Sequence, residues 1–332
     1  AEATRPVVGK AGRGTLANYR PDDMAAAVLK SVIERAGIAP GDVEDITLGC
    51  AIPEQAQGMN VARVAALDAG FPDTASASTI NRFCSSGLEA IAIIGAKIEA
   101  GLLDVGIGGG TESMSMVPMP GAKVAPNPKL VETKPEIYIA MGNAGDNVAT
   151  DFKISREELY EFALRINERA VAAIDEGKFK DEITPLELPD GSDALVFDTD
   201  EGPRRGTTME GLAGLKPAFA VPGKGFHTAG NSSQTSDGAA AVLLMSEAAL
   251  KKHGIKPKAK FLSYAVAADS PKYLGPAQLV AIPKAVEMAG IKLEDVGLFE
   301  INEAFASVAL YVMRELKLDP EKVNVNGGAI AL

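Results

Sequence analysis

Asn81-Arg82-Phe83-Cys84-Ser85-Ser86-Gly87-Leu88-Glu89-Ala90 is the stretch on which the fold turns. The residues leading into it, Thr74 to Phe83, have strand character and bring the chain to Cys84. From Ser85 the apolar period changes: Leu88, Ile91, Ile94 and Ile98 recur at helical spacing up to Gly101. Ser85 or Ser86 is suited to cap this helix, and Gly101 to end it. Cys84 is thereby expected at, or just before, a helix N-terminus, where unpaired N–H groups and the helix dipole favour an anion. A thiol so placed is expected to have a depressed pKa and to act as a nucleophile. The competing reading is an inert core residue, because cysteine is among the residues most often buried. Cys50 follows Thr47-Leu48-Gly49 at the end of a strand-like run, has no helix cap, and reads as structural or pocket-lining.

The 332 residues suffice for two domains or one large α/β unit, and 46% of them are hydrophobic, enough for a full core. Two cysteines in such a length do not make a disulfide framework, which points to a reducing compartment. No apolar run is long enough to span a bilayer. No signal or transit peptide is visible, and the start at Ala1 is read as a missing native N-terminus. A net charge of −11 argues against a nucleic-acid partner but leaves room for an anionic small molecule held by local cations.

Helices and strands alternate, as in layered α/β folds, with 34 glycines and abundant alanine. A faint repeat is present. Ala36-Gly37-Ile38, Asp42-Val43 and Ile46 follow one amphipathic helix; Ala289-Gly290-Ile291, Asp295-Val296 and Phe299 follow another. The Gly-to-Asp spacing is the same, which suggests two related halves, each helix, short loop, strand. Between them, about Val117 to Gly225, the texture is richer in Pro, Lys, Asp and Glu. Ser155 to Gly177 reads there as a charged helix with Leu159, Phe162, Ala163 and Ile166 on one face. This excursion is expected to be a lid or substrate-binding insertion, or a solvated surface subdomain.

Four further segments can carry chemistry. Gly108-Gly109-Gly110-Thr111-Glu112-Ser113-Met114 follows the strand-like Leu103 to Ile107. Its glycines permit close backbone approach, but it lacks the dinucleotide glycine pattern and a Walker lysine. Thr228-Ala229-Gly230-Asn231-Ser232-Ser233-Gln234-Thr235-Ser236-Asp237-Gly238-Ala239 precedes a buried-strand pattern, Ala240 to Met245. It reads as a turn-rich loop or as a surface for an extended polar ligand. His227 beside it is a lone histidine that would need the right geometry to act as a base. Asn302-Glu303-Ala304-Phe305-Ala306 follows the strand-like Leu298 to Ile301, where an amide can orient a water, donate to an oxyanion, or cap the next helix. Val323-Asn324-Val325-Asn326-Gly327-Gly328-Ala329 is a strand running into a glycine loop.

Taken together and in this order, the cysteine elbow, Gly-Gly-Thr-Glu-Ser-Met, Thr-Ala-Gly-Asn-Ser-Ser, Asn-Glu-Ala-Phe and Asn-Val-Asn-Gly-Gly-Ala resemble the thiolase family over essentially the whole chain. The resemblance implies an α/β, five-layered αβαβα core of two similar halves with an inserted loop domain. It assigns residues 1–116 to the N-terminal half, 117–235 to the inserted domain that binds coenzyme A and substrate, 236–256 to a return to the first half, and 257–332 to an incomplete C-terminal half. It implies that Cys84 takes up the acyl group as a thioester and that Asn302 holds a water at the oxyanion hole. Arg204, Phe219, Ala229, Ser233 and Phe305 fall where family members contact coenzyme A, and Met114 and Met141 look like acyl-pocket residues. No permanently bound cofactor and no metal are implied; coenzyme A is a substrate. The chemistry is consistent with this, since a thiolate is both a nucleophile and a good leaving group. At a free-thiol pKa of about 8.5 only a few per cent of Cys84 would be ionised at neutral pH, so helix dipole and a nearby histidine would have work to do. Each oxyanion donor is worth ~3 kcal/mol in other enzymes.

Departures from the family pattern set further expectations. In thiolases the Asn-Gly-Gly-Ala-Ile-Ala-Leu segment leads into Gly-His-Pro, whose histidine activates the nucleophile, and then to a Cys-x-Gly acid/base cysteine. Both would lie past Leu332, so the sequence is expected to be a portion of a longer enzyme. Where many short-chain biosynthetic thiolases carry His-Met-Gly, this chain has Ile139-Ala140-Met141-Gly142. That leans toward a degradative 3-ketoacyl-CoA thiolase of fatty acid β-oxidation, with biosynthetic acetyl-CoA acetyltransferase as the alternative. Another condensing enzyme, such as a ketoacyl synthase, or a non-catalytic thiolase-like acyl-CoA-binding chain are the remaining rivals. The resemblance further implies a homodimer or tetramer paired through the edge strand Ala75 to Arg82, a β-oxidation partner subunit, and a cytoplasmic or organelle-matrix location.

Overall fold

In a computed structural model of the chain, residues 1–188, 196–219 and 225–332 are described. Parts of the Val117–Gly225 excursion, residues 189–195 and 220–224, therefore lie outside the described residues. The chain begins with β1 (Ala3–Thr4), β2 (Gly9–Lys10), α1 (Pro21–Ala36), β3 (Asp45–Gly49), α2 (Val61–Asp68), β4 (Ser76–Ile80), α3 (Ser86–Glu99) and β5 (Val105–Ser113). It continues through α4 (Pro128–Thr133), α5 (Met141–Asp151), α6 (Arg156–Asp175), the ribbon β6 (Leu186–Glu187) and β7 (Val196–Phe197), and α7 (Met209–Ala213). It closes with β8 (Ser236–Met245), α8 (Glu247–His253), α9 (Gln278–Met288) and α10 (Ala306–Glu315). None of the described helices is long and apolar enough to cross a membrane.

Two units form. The first comprises residues 1–124, 179–201 and 235–261; the second comprises residues 125–178, 202–234 and 262–332.

The first unit is built on a mixed sheet of order β1-β8-β5-β3-β4, with β2 also paired to β8. β3 runs parallel to β4 and β5, while β8 runs antiparallel to β5, β1 and β2. Alternation along the strands sorts residues to two faces. Ile46, Leu48 and Ile107 pack with α1 and α2 side chains such as Val28, Leu29, Val32, Ala62 and Ala65. Gly49, Gly106 and Gly108 face α3 on the other side. With both faces covered, β3 is buried at all five residues. The start of α1 follows from Pro21 at its first turn with Asp22 and Asp23 beside it, and its end from Gly37 in the left-handed conformation (φ 69°).

The second unit is mainly helical. Its core gathers Val148, Leu159, Phe162, Ala163 and Ile166 with Ala309, Val312 and Val323. The predicted charged helix is α6. Ser155 and Glu158 close its start reciprocally: Glu158 N–H donates to Ser155 Oγ and Ser155 N–H to Glu158 Oε2. The repeat seen in the sequence has a local counterpart here. Gly37 and Gly290 both adopt positive φ (69° and 70°), and each is followed by a short 3-10 turn, Pro40–Asp42 or Leu293–Asp295. In each turn the aspartate accepts from a backbone N–H three residues earlier, Ala39 to Asp42 at 3.1 Å and Lys292 to Asp295 at 3.4 Å.

Several sequence expectations need correction. The strand before Cys84 is shorter than Thr74–Phe83, because side-chain hydrogen bonds take over the backbone from Asn81 onward. Gly108-Gly109-Gly110 does not follow a strand ending at Ile107 but forms the middle of β5, and Ser236–Ala239, read within a turn-rich loop, belong to β8. Leu298–Ile301 and the Val323 segment form no strand. They meet in one parallel bridge, Phe299 to Val323, and the Asn324 side chain then takes up the Ile301 N–H and C=O that a ladder would have used.

Candidate active site

Cys84 sits one residue before Ser85, the cap position of α3, as its neighbours predict. Phe83 has positive φ (46°), an uncommon conformation for a bulky residue that turns the chain sharply out of the strand. Local bonds hold this elbow. Asn81 Oδ1 accepts from Phe83 N–H at 2.8 Å, and Asn81 Nδ2 donates to Ala51 C=O at 3.0 Å. Ser86 Oγ accepts from Arg82 N–H at 2.7 Å and donates to Phe83 C=O at 2.6 Å. Arg82 pairs with Glu89 in the first turn of α3. Neither serine caps the helix as expected: the Ser85 hydroxyl donates backwards to Arg82 C=O instead. Gly101, with φ 70°, ends the helix as read.

Why α3 lies where it does is a matter of missing side chains. A Cβ on Gly49 would stand 2.4 Å from the Ser86 carbonyl carbon, and one on Gly108 would stand 2.5 Å from Ile91 Cα. The helix therefore presses its backbone onto bare strand. Its buried face is Ser86, Ala90 and Ile94, while Leu88, read as part of the apolar stripe, is 60% exposed. Of the helically spaced apolar residues, Ile94 is fully buried against the bare strand at Gly106 and Leu88 is not.

Cys84 is exposed, and Cys50 is buried. Desolvation pushes the Cys84 thiol above its ordinary range, with Glu112 adding to the shift and a backbone hydrogen bond opposing it. The expected depression is thus not met in this arrangement. Cys50 is driven further, to about 12, by burial and by Glu112. Glu112, which the sequence reading passed over, is a local hub. Its carboxylate accepts from Ala51 N–H at 2.6 Å, Ile52 N–H at 3.3 Å and Gln57 Nε2 at 2.7 Å, with the Cys50 thiol at 3.7 Å. Met114 follows directly after β5, half-buried.

In the second unit Asn302 is exposed, between the buried residues Ile301 and Glu303. The Asn324 side chain accepts from Ile301 N–H at 2.8 Å and donates to Ile301 C=O at 2.9 Å, and also donates to Glu303 Oε1. Glu303 Oε2 accepts from Ile330 N–H at 3.2 Å. Burial pushes the Glu303 carboxyl up to about 7 against the pull of these donors.

Four of the five residues expected at coenzyme A come together here. Phe219 and Phe305 meet edge to face at 5.5 Å, Ser232 bridges Phe305 along the backbone, and Ser233 N–H donates to Ala304 C=O at 3.0 Å. Ala229 is exposed at the tip of the same loop. Met141 opens α5, and glycines behind it make room for the aromatics: a Cβ on Gly142 would lie 2.0 Å from the Phe219 ring. Arg204 is exposed, its N–H donating to Asn167 Oδ1 at 3.2 Å, with no side-chain ion pair among the described residues. Arg205 is engaged by Asp175 at 2.5 Å. His227 is fully buried, its Nδ1 2.7 Å from Asp146 Oδ1 and its ring 4.9 Å from that of Phe305. Burial works to raise Asp146, but bonds from the His227 ring and the His227 and Phe226 N–H groups hold it below its ordinary range. His227 Nε2 is buried without a hydrogen-bond partner among the described residues. Among the described residues no cluster of three or more His, Cys, Asp or Glu could hold a metal ion.

A turned-out cysteine at a helix head, carried on a mixed sheet, is a placement open to nucleophilic chemistry on an α/β fold, and comparison with known proteins supplies the class. The crystal structure of the Bacillus anthracis acetyl-CoA acetyltransferase superposes with a TM-score of 0.89 at 41% identity, covering 99% of this chain and 86% of that one. Residues 1–248 match the family model for the thiolase N-terminal domain, and residues 255–332 that for the thiolase C-terminal domain. The chain belongs to the thiolase family and is an acyltransferase of thiolytic acyl-CoA cleavage. A 3-ketoacyl-CoA thiolase of Bacillus subtilis (strain 168) is 50% identical over 337 residues, 99% of this chain and 86% of that protein. The peroxisomal 3-ketoacyl-CoA thiolase 1 of Arabidopsis thaliana is 44% identical over 338 residues, 99% of this chain and 76% of its own length.

Proposed function

We propose that this protein is a degradative 3-ketoacyl-CoA thiolase working through a Cys84 thioester. The Cys84 thiolate adds to the 3-keto carbonyl, and the bond between the α- and β-carbons breaks. Acetyl-CoA leaves as its enolate and takes a proton from a general acid, while the shortened acyl group stays on sulfur. Coenzyme A, giving its thiol proton to a base, then attacks that thioester; the acyl group passes to its sulfur, and the Cys84 thiolate leaves. Asn302 orients a water toward the oxyanion formed at each addition. Arg204, Phe219, Ala229, Ser233 and Phe305 contact coenzyme A, with the cation of Arg204 offsetting the negative field of the chain. Met114 and Met141 line the acyl pocket. The observation that carries this reading is the exposed Cys84 held by its own elbow at the start of α3.

The Ile139-Ala140-Met141-Gly142 run, which lacks a histidine, favours longer acyl chains over a two-carbon acetyl group. The name of the B. anthracis structure favours the second reading, a biosynthetic acetyl-CoA acetyltransferase. Thiolysis of acetoacetyl-CoA and of longer 3-ketoacyl-CoA thioesters by the full-length protein separates the two. The degradative reading expects kcat/KM to rise with chain length; turnover of acetoacetyl-CoA alone would hand the assignment to the second reading. The quaternary state we propose is a homodimer, or a tetramer of such dimers, joined through β4 and open to a partner subunit of fatty acid oxidation. The proposed place of work is the cytoplasm or an organelle matrix.

A further inference from the structure

Asn302 stands on a chain whose neighbours are all tied down. Phe299 N–H donates to Lys322 C=O at 2.8 Å, and Asn324 N–H donates to Phe299 C=O at 2.9 Å. One residue before Asn302, both backbone groups of Ile301 are bonded by the single side chain of Asn324. One residue after it, the fully buried Glu303 carboxylate uses one oxygen for Asn324 Nδ2 and the other for Ile330 N–H. Gly328 lets the carboxylate lie against the backbone, since a Cβ there would stand 2.4 Å from it. Asn324 itself sits at positive φ (49°) and is 1% exposed, so its amide is fixed and not free to rotate toward water.

We propose that Glu303 and Asn324 are positioning residues that aim the Asn302 amide, acting as a two-sided clamp on the residues flanking it. The inference rests on the role proposed above for Asn302. An amide that orients an oxyanion water must be held to a fraction of an ångström, and an exposed side chain on a free loop would not be. Asn324 removes backbone freedom before Asn302, and Glu303 removes it after. Two acceptor oxygens are required at residue 303, because both partners are N–H donors. Glutamine keeps the shape and loses one acceptor.

A double-mutant cycle on the full-length protein, read by acetoacetyl-CoA thiolysis, tests this. Asn302→Ala should lower kcat by ~10²-fold, the loss typical of an oxyanion donor. Glu303→Gln should lower kcat by ~10-fold with KM for coenzyme A within about 2-fold, and should cost less than about 2-fold more in the Asn302→Ala background. The same 10-fold loss in both backgrounds, or an unchanged kcat for Glu303→Gln, would overturn the clamp. Full activity of Asn302→Ala would instead remove the role of Asn302 itself. Iodoacetamide labelling of Cys84 and circular dichroism report whether each variant is folded. Should Glu303→Gln not fold, Glu303→Asp and Gly328→Ala enter the same cycle with the same expected non-additivity.

Discussion

At the residue scale, Glu303 shows what it costs to hold a functional loop with a buried carboxylate. Its folded pKa, about 7, lies above the ordinary 4.5. The native state therefore binds this proton more tightly than the unfolded chain does. The resulting stabilisation is fully present below pH 4.5 and is lost as pH rises through about 7. The shift, set by burial against the pull of the Asn324 and Ile330 donors, corresponds to roughly 3 kcal/mol at most. Urea unfolding at pH 4.5 and pH 8 should show Glu303→Gln losing this part of the slope relative to the parent protein. Identical slopes in both proteins would contradict the burial argument. Cys84 was legible at this scale because its neighbours change period on either side of it. Its raised pKa was not, since desolvation depends on packing that no local pattern encodes. Nor was the Glu303–Asn324 pair, whose members lie 21 residues apart and meet only through tertiary structure.

The elements carry a different lesson. α3 is held by absences, at Gly49, Gly106 and Gly108, more than by a stripe of large side chains. Leu88, Ile91, Ile94 and Ile98 were read only as a helical period, and of these Ile94 is fully buried. Here the closest contacts are backbone to backbone, and Leu88 is left outside. Sequence patterns register what is present at each position and say little of why a glycine is there. Gly108→Ala should push α3 away from the sheet and lower stability by ~1–3 kcal/mol, with thiolysis falling alongside because Cys84 rides on the same helix. A thermal midpoint unchanged from the parent would show that the helix can give by the required distance. The matched turns after α1 and α9 were read correctly, because Gly37, Gly290 and their aspartates act within five residues of chain. The strands expected at Leu298–Ile301 and Val323 were not, since a strand exists only with a paired neighbour, which local propensity does not supply.

For the whole molecule, the sheet of the first unit ends at β4, which among the described residues pairs only with β3. Such an edge invites another strand, and it lies in sequence between Met59 and Phe83, which are 96% and 64% exposed. Sedimentation of the full-length protein at micromolar concentration should therefore give a dimer or a multiple of one; a stable monomer would contradict pairing through β4. Both cysteines lie in the first unit, but Cys50 is buried, with its pKa pushed to about 12, whereas Cys84 is exposed at a turned elbow. The most direct measurement is to incubate the full-length protein with acetyl-CoA, quench it in acid and map the acylated peptide by mass spectrometry, with Cys84→Ala alongside. We predict acetyl on Cys84 alone, and a Cys84→Ala protein that folds, stays unlabelled and turns over no substrate. Acetyl on Cys50 with Cys84 unmodified, or thiolysis by Cys84→Ala, would contradict the assignment of Cys84 as the acyl carrier.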